Sequence, residues 1–189
     1  MPRRVVRGTI LIIAVFIKFN CLGQGGSILK STIDLDFLIG SWKAEMTYNP
    51  KQEDERILSG TINCESVLSN QYIKCIYNFE RPGKLNSIND VYYNYNSIYD
   101  LYESIWMSST WPVKVLLQGD LRVTDDSVVL STNAEFPIGE GVNEYVKDVL
   151  VFDPSSQNNY YRDTYIRTSK DTADIWRHHS REKAVLINK

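Results

Sequence analysis

Alternation of apolar and polar side chains, segment after segment, constrains this chain more than any other feature. Residues 40–48 put Trp42, Ala44, Met46 and Tyr48 on one face and Ser41, Lys43, Glu45 and Thr47 on the other. That period of two is the mark of a half-buried strand. Asn49-Pro50 ends it, and the charged stretch 51–56 is a loop. The same pattern predicts strands near 57–67, 71–80, 89–97, 99–108, 113–123, 127–133, 143–152, 160–168 and 172–182. Over 113–123, Val113, Val115, Leu117, Leu121 and Val123 form the inward stripe. Residues 137–141 read as a loop. Outside a short helical turn over 32–38, capped by Thr32 or Asp34, no stretch reads as a helix. Strands spaced by about 8–12 residues, with short local connections, predict an all-β chain: an antiparallel up-and-down β-barrel of about 8–10 strands. Barrels of this size hold one small ligand or fill their interior with side chains.

The first 23 residues stand apart. Arg3, Arg4 and Arg7 precede an eight-residue apolar run, Ile10 to Ile17, and Cys21 and Gly23 supply small residues at −3 and −1 of a cut after Gly23. This is the layout of a secretory signal peptide. The run is far shorter than the ~20 residues that span a bilayer. Residues 24–35 then read as a linker and 36–189 as the barrel domain. Lipid anchoring through Cys21 is the weaker alternative, because Lys18-Phe19-Asn20 fits a lipobox badly. The expected location is therefore the periplasm or the extracellular space. Losing the leader's four basic residues (Arg3, Arg4, Arg7, Lys18) takes the 21 basic side chains to 17 against 23 acidic ones, a net charge of −6. An acidic chain argues against nucleic acid as a partner.

Two cysteines remain after cleavage. A turn at Ser69-Asn70 pairs residues whose numbers sum to 139, which sets Cys64 opposite Cys75 on the face of Ile62, Leu68, Ile73 and Tyr77. An oxidising compartment permits a disulfide there. With a two-residue loop the pair falls at a hydrogen-bonded position, where Cα atoms lie farther apart. A pair of buried thiols is the equal alternative.

Residues 37–42, Phe-Leu-Ile-Gly-Ser-Trp, resemble the Gly-x-Trp opening of lipocalins and their calycin relatives. The start after a leader, the late strands rich in Tyr, Arg and Ser, and the Asp171-to-Trp176 stretch are similar to a group of exported bacterial lipocalin-like domains of unknown function. The resemblance implies that Trp42 plugs one barrel end and that a basic residue of the last strand, Arg177 or else Arg181, packs on it by cation–π attraction. Some calycin relatives bind haem through a histidine. By that analogy His179 or His178 is an alternative axial ligand; otherwise no cofactor is expected.

Chemistry-bearing motifs are sparse. His178 and His179 are the only histidines, and adjacent strand residues face opposite ways, so they cannot share a metal or form one acid–base pair. There is no Gly-x-Ser-x-Gly elbow and no phosphate loop. No catalytic residue and no metal site is assigned. Glu135, Glu140, Glu144 and Asp148 read as solvated loop and strand-face charge. Aromatic residues are the unusual feature: 12 Tyr and 4 Trp, dense over 91–102. Strand propensity alone accommodates them, but they also suit a pocket with apolar walls and hydroxyl tips. Tyr77, Tyr93, Tyr95, Trp106 and Tyr165 are the candidate ligand-binding residues. In the run 160–167, an arginine paired with Asp163 across strands is simpler than an inward arginine holding a ligand carboxylate.

These observations predict a barrel that binds a small apolar or amphipathic molecule. Two alternatives remain: an interaction module with a packed interior, and a barrel enzyme of isomerase or cyclase type.

Overall fold

The structure is a computed structural model that describes residues 30–189 except 112, 125, 154, 156, 157 and 172–174. A 3-10 helix, Thr32–Leu38, precedes ten strands: β1 Gly40–Tyr48, β2 Arg56–Val67, β3 Tyr72–Phe79, β4 Ser87–Asn96, β5 Leu101–Ser108, β6 Val115–Val123, β7 Val128–Gly139, β8 Val142–Phe152, β9 Asn159–Thr168 and β10 Arg177–Asn188. Each strand pairs antiparallel with its neighbours in sequence, and β1 pairs with β10 to close the barrel. The all-β, up-and-down barrel expected from the alternation is the fold. The leader 1–23 and the possible anchor Cys21 lie outside the described residues.

Two boundaries differ from the expectation, each for a physical reason. β7 runs on to Gly139, through the supposed loop at 137–141. Pro137 is tolerated because the register shifts between Pro137 and Gly139, and a bulge needs no N–H from it. Glu140 and Gly141, both with positive φ, make a two-residue hairpin turn. β10 begins at Arg177 rather than 172 and reaches Asn188, because closure requires Ser41 to meet Asn188. At Gly119, flanked by Tyr102 and Thr132, a side chain would run into the Ser131 backbone, so strands β6 and β7 approach closely there. Val123, at the end of its stripe, is exposed.

The hairpin β2–β3 keeps the expected sum of 139, with Cys64 opposite Cys75. Its loop is wider than expected: Leu68, Ser69 and Asn70 all take positive φ, and Leu68 is exposed rather than on the inner face. The two cysteines form a disulfide with a Cα–Cα distance of 4.0 Å, the close spacing of a non-hydrogen-bonded pair.

One barrel end is plugged. Ser31, rather than Thr32 or Asp34, caps the 3-10 helix, and its N–H donates to Asp34 Oδ2 at 2.7 Å. The same Asp34 oxygen accepts the Tyr102 hydroxyl at 2.6 Å. Thr32 donates to the Gln71 carbonyl and accepts the Tyr95 N–H, both at 3.1 Å. Leu35 and Leu38 are fully buried.

Trp42 is buried at this end. Its indole N–H donates to the Leu38 carbonyl at 2.8 Å, and its ring meets Tyr160 edge-on. Arg177 does not pack on it. Trp42 faces Leu186 across β1–β10, whereas Arg177 opens β10 at the other end of the barrel, exposed and 4.0 Å from Asp171. Arg181 lies on the outer wall, where its Nε and Nη2 donate to the two carboxylate oxygens of Asp163, each at 2.7 Å.

Candidate functional site

Above the plugged half, the barrel opens into a cavity of about 380 Å³. Its walls divide by strand. Val115 and Leu117 of β6, Phe136 of β7 and Val146 of β8 form an apolar side, with Trp106 and Trp111 beside it. Trp111 meets Phe136 edge-on at 5.4 Å. The opposite side is polar: Tyr48, Thr164, His179 and Ser180.

A buried ion pair forms the cavity floor. Arg162 of β9 donates to Glu182 of β10 at 2.7 Å, with both side chains almost wholly enclosed. The guanidinium lies 4.3 Å from the Trp106 ring centre and 5.0 Å from that of Tyr77, a cation–π arrangement. It also donates to the Tyr77 hydroxyl at 3.3 Å, which sits 3.0 Å from the Tyr93 hydroxyl. Burial pushes the Tyr93 hydroxyl up to about 12, so it stays protonated. Burial also raises the Glu182 carboxyl, with Arg162 and the Tyr160 hydroxyl pulling against it.

Two carboxyl groups enter the cavity from β8. Glu144 and Asp148 share the inward parity of Val142, Val146 and Leu150. Asp148 is 8% exposed and, among the described residues, accepts one hydrogen bond, from the Thr164 hydroxyl directly opposite, at 2.6 Å. Burial raises its pKa, against the pull of Arg162 and Thr164. Burial raises Glu144 as well.

The histidines separate as strand geometry requires. A register shift between His178 and Ser180 makes His179 the extra residue of a bulge, and both His179 and Ser180 line the cavity. Burial lowers the His179 pKa, and Arg177 and Arg56 lower it further, so its ring is neutral. His178 faces outward, 2.8 Å from Asp163 and stacked on Tyr165. A haem iron in this cavity would therefore be met by His179 and not by His178. A neutral imidazole is the form that ligates. Among the described residues there is no group of three or more His, Cys, Asp or Glu placed to hold a metal ion.

The five aromatic candidates do not converge. Trp106 lines the cavity, and its indole N–H has no hydrogen-bond partner among the described residues. Tyr77 and Tyr93 lie beneath the cavity, fully enclosed in the core. Tyr95 belongs to the plugged end, tilted against Tyr102, with its hydroxyl on Asp100. Tyr165 is on the outer wall: β9 turns Tyr160, Arg162 and Thr164 inward, so Tyr165 must face out. The arginine paired with Asp163 is Arg181, and Arg162 is the inward one, neutralised by Glu182. Sequence reading missed Glu144, Asp148, Arg162 and Glu182 as one enclosure. The available signal was parity: each carries the numbering parity of its strand's buried apolar residues.

Comparison with known proteins gives a family and a fold. No curated protein matches the chain. Among solved structures, it resembles the crystal structure of Rv2717c from M. tuberculosis, with a TM-score of 0.60 over 82% of this chain and 95% of that one, at 10% identity. That likeness is one of fold. Residues 34–174 match the family described as "Protein of unknown function (DUF1579)". They run from the plug helix to the connection before β10 and so take in most of the barrel. The chain belongs to the DUF1579 family.

Proposed function

We propose that this protein is an exported, lipocalin-like barrel that carries a small amphipathic molecule in its open end. The observation that carries this reading is the cavity of about 380 Å³, apolar and aromatic on one side and polar on the other, above a floor already closed by side chains. Ligand sites are of this size and composition, with a few placed polar groups among apolar ones. The leader over 1–23 and the Cys64–Cys75 disulfide support export, since such bonds persist in oxidising compartments. No covalent step is assigned to it, and an acidic mature chain has no use for nucleic acid.

Native mass spectrometry of residues 24–189, purified from the envelope of the cells that make it, tests the reading. Added mass that vanishes on denaturation is the expected result. Added mass with a porphyrin absorption band would identify haem and make His179 its ligand. A chain that stays bare after incubation with lipid extract would overturn the carrier and favour an interaction module.

A further inference from the structure

The open end contains a buried carboxyl held by a single neutral donor among the described residues, and this bears on the head group the cavity would take. Arg162 is the one lysine or arginine among the described residues lining the cavity. Its donors go to Glu182 and Tyr77, and its faces lie against Trp106 and Tyr77. It therefore neutralises Glu182, and the pair brings no net charge to the cavity. Asp148, on the neighbouring strand β8, has among the described residues only the Thr164 hydroxyl as a hydrogen-bond donor. A carboxylate has about four acceptor sites, and one neutral donor leaves most of them open. A buried carboxyl with so few donors is destabilising unless something else supplies one. Glu144, two positions beyond Val146 on the same strand face, adds a second acid toward the mouth.

Resting on the carrier reading, we propose that the cavity selects an amphipathic amine. Its protonated nitrogen is held by Asp148, and its hydrocarbon body lies on Val115, Leu117, Phe136 and Val146. Trp111, edge-on to Phe136, extends the same apolar surface. A carboxylate head group in the same place would face two acids and an arginine already engaged. Arg56, Arg81 and Lys84 line a neighbouring groove on the rim. They act on a ligand's approach, where salt screens them, and not on a head group seated at Asp148.

Three probes with one hydrocarbon body separate the possibilities: octylammonium, octanol and octanoate, each titrated calorimetrically into residues 24–189 at pH 7. The expected order is octylammonium about tenfold tighter than octanol, with octanoate weakest; tenfold is what one charge-assisted hydrogen bond supplies. Asp148→Asn should reduce octylammonium to the affinity of octanol. The ranking on the unaltered protein stands even if that variant misfolds. Equal affinity for all three would overturn amine selection and leave the carrier intact. Octanoate binding tightest would overturn it too. Failure of all three to bind would sink the carrier reading along with it.

Discussion

The two ends of this barrel are built from the same strands and solve opposite problems. At the plugged end, Leu35, Leu38, Trp42, Ile62, Val91 and Tyr102 are buried to within 1%. The polar groups there are tied by short local bonds, Trp42 to Leu38 and Tyr102 to Asp34. At the open end, Glu144, Asp148 and His179 face a cavity, and burial shifts each toward its uncharged form. Burial of apolar area stabilises the first region; buried ionisable groups lower stability in the second. The contrast gives the first end the larger share of stability and leaves the second with ionisable groups facing open space. The Arg162–Glu182 pair stands between them.

The sharpest way to break the comparison is Trp42→Ala. It removes the largest enclosed side chain of the plugged end and the anchor for the Leu38 carbonyl. Urea unfolding should show a loss of about 3–5 kcal/mol. A substitution on the cavity wall such as Trp111→Ala, partly exposed already, should cost less than about 1 kcal/mol. Equal losses would end the division of labour.

The ion pair comes next. Arg162→Met leaves Glu182 enclosed without its cation, and loss of one partner of a buried pair costs about 3–5 kcal/mol. Adding Glu182→Leu should restore most of it, because the second change removes the stranded charge. A double variant no more stable than the single one would mean that packing around Trp106 and Tyr77 dominates, not charge. The disulfide ranks third. Cys64→Ala with Cys75→Ala opens a loop of sequence separation 11 and should cost about 2–3 kcal/mol.

What could be read from residues alone follows the same division. Alternation and turn spacing report which face of a strand is buried, so the barrel, Trp42 and the Cys64–Cys75 register were legible. They do not report where a strand begins. Setting Arg177 against Trp42 assumes a last strand over 172–182; β10 spans Arg177–Asn188, which leaves Arg177 at the far end. Tyr165 has the opposite parity to Tyr160 and Arg162 within β9 and so faces out. The acids of β8 were read as solvated because charge is usually exposed. A cavity reverses that expectation, and only closure of all ten strands makes a cavity.

The smallest effect concerns pH and isolates the open end. Burial raises Asp148 above its unfolded value, so the folded state holds that proton more tightly than the unfolded chain does. Its contribution to stability is complete below the unfolded carboxylate range and is lost as pH rises through the folded pKa. Asp163, on the outer wall, runs the other way. Burial works against its ionisation, but Arg181 and His178 hold its carboxyl below the usual range, so its contribution is present at neutral pH and lost as pH falls through its folded pKa. Asp148→Asn keeps an acceptor for Thr164 and removes the titration. It should therefore raise stability at pH 7, by less than any of the losses above, and the gain should shrink toward zero as pH falls below about 4. Asp163→Asn should lower stability at pH 7, and that loss should shrink with acidity instead. Thermal melts of both variants between pH 3 and pH 8 measure the two slopes. If Asp148→Asn were destabilising at pH 7, the carboxylate would already have a cation within the protein, and the open end would have no charge left to offer a ligand.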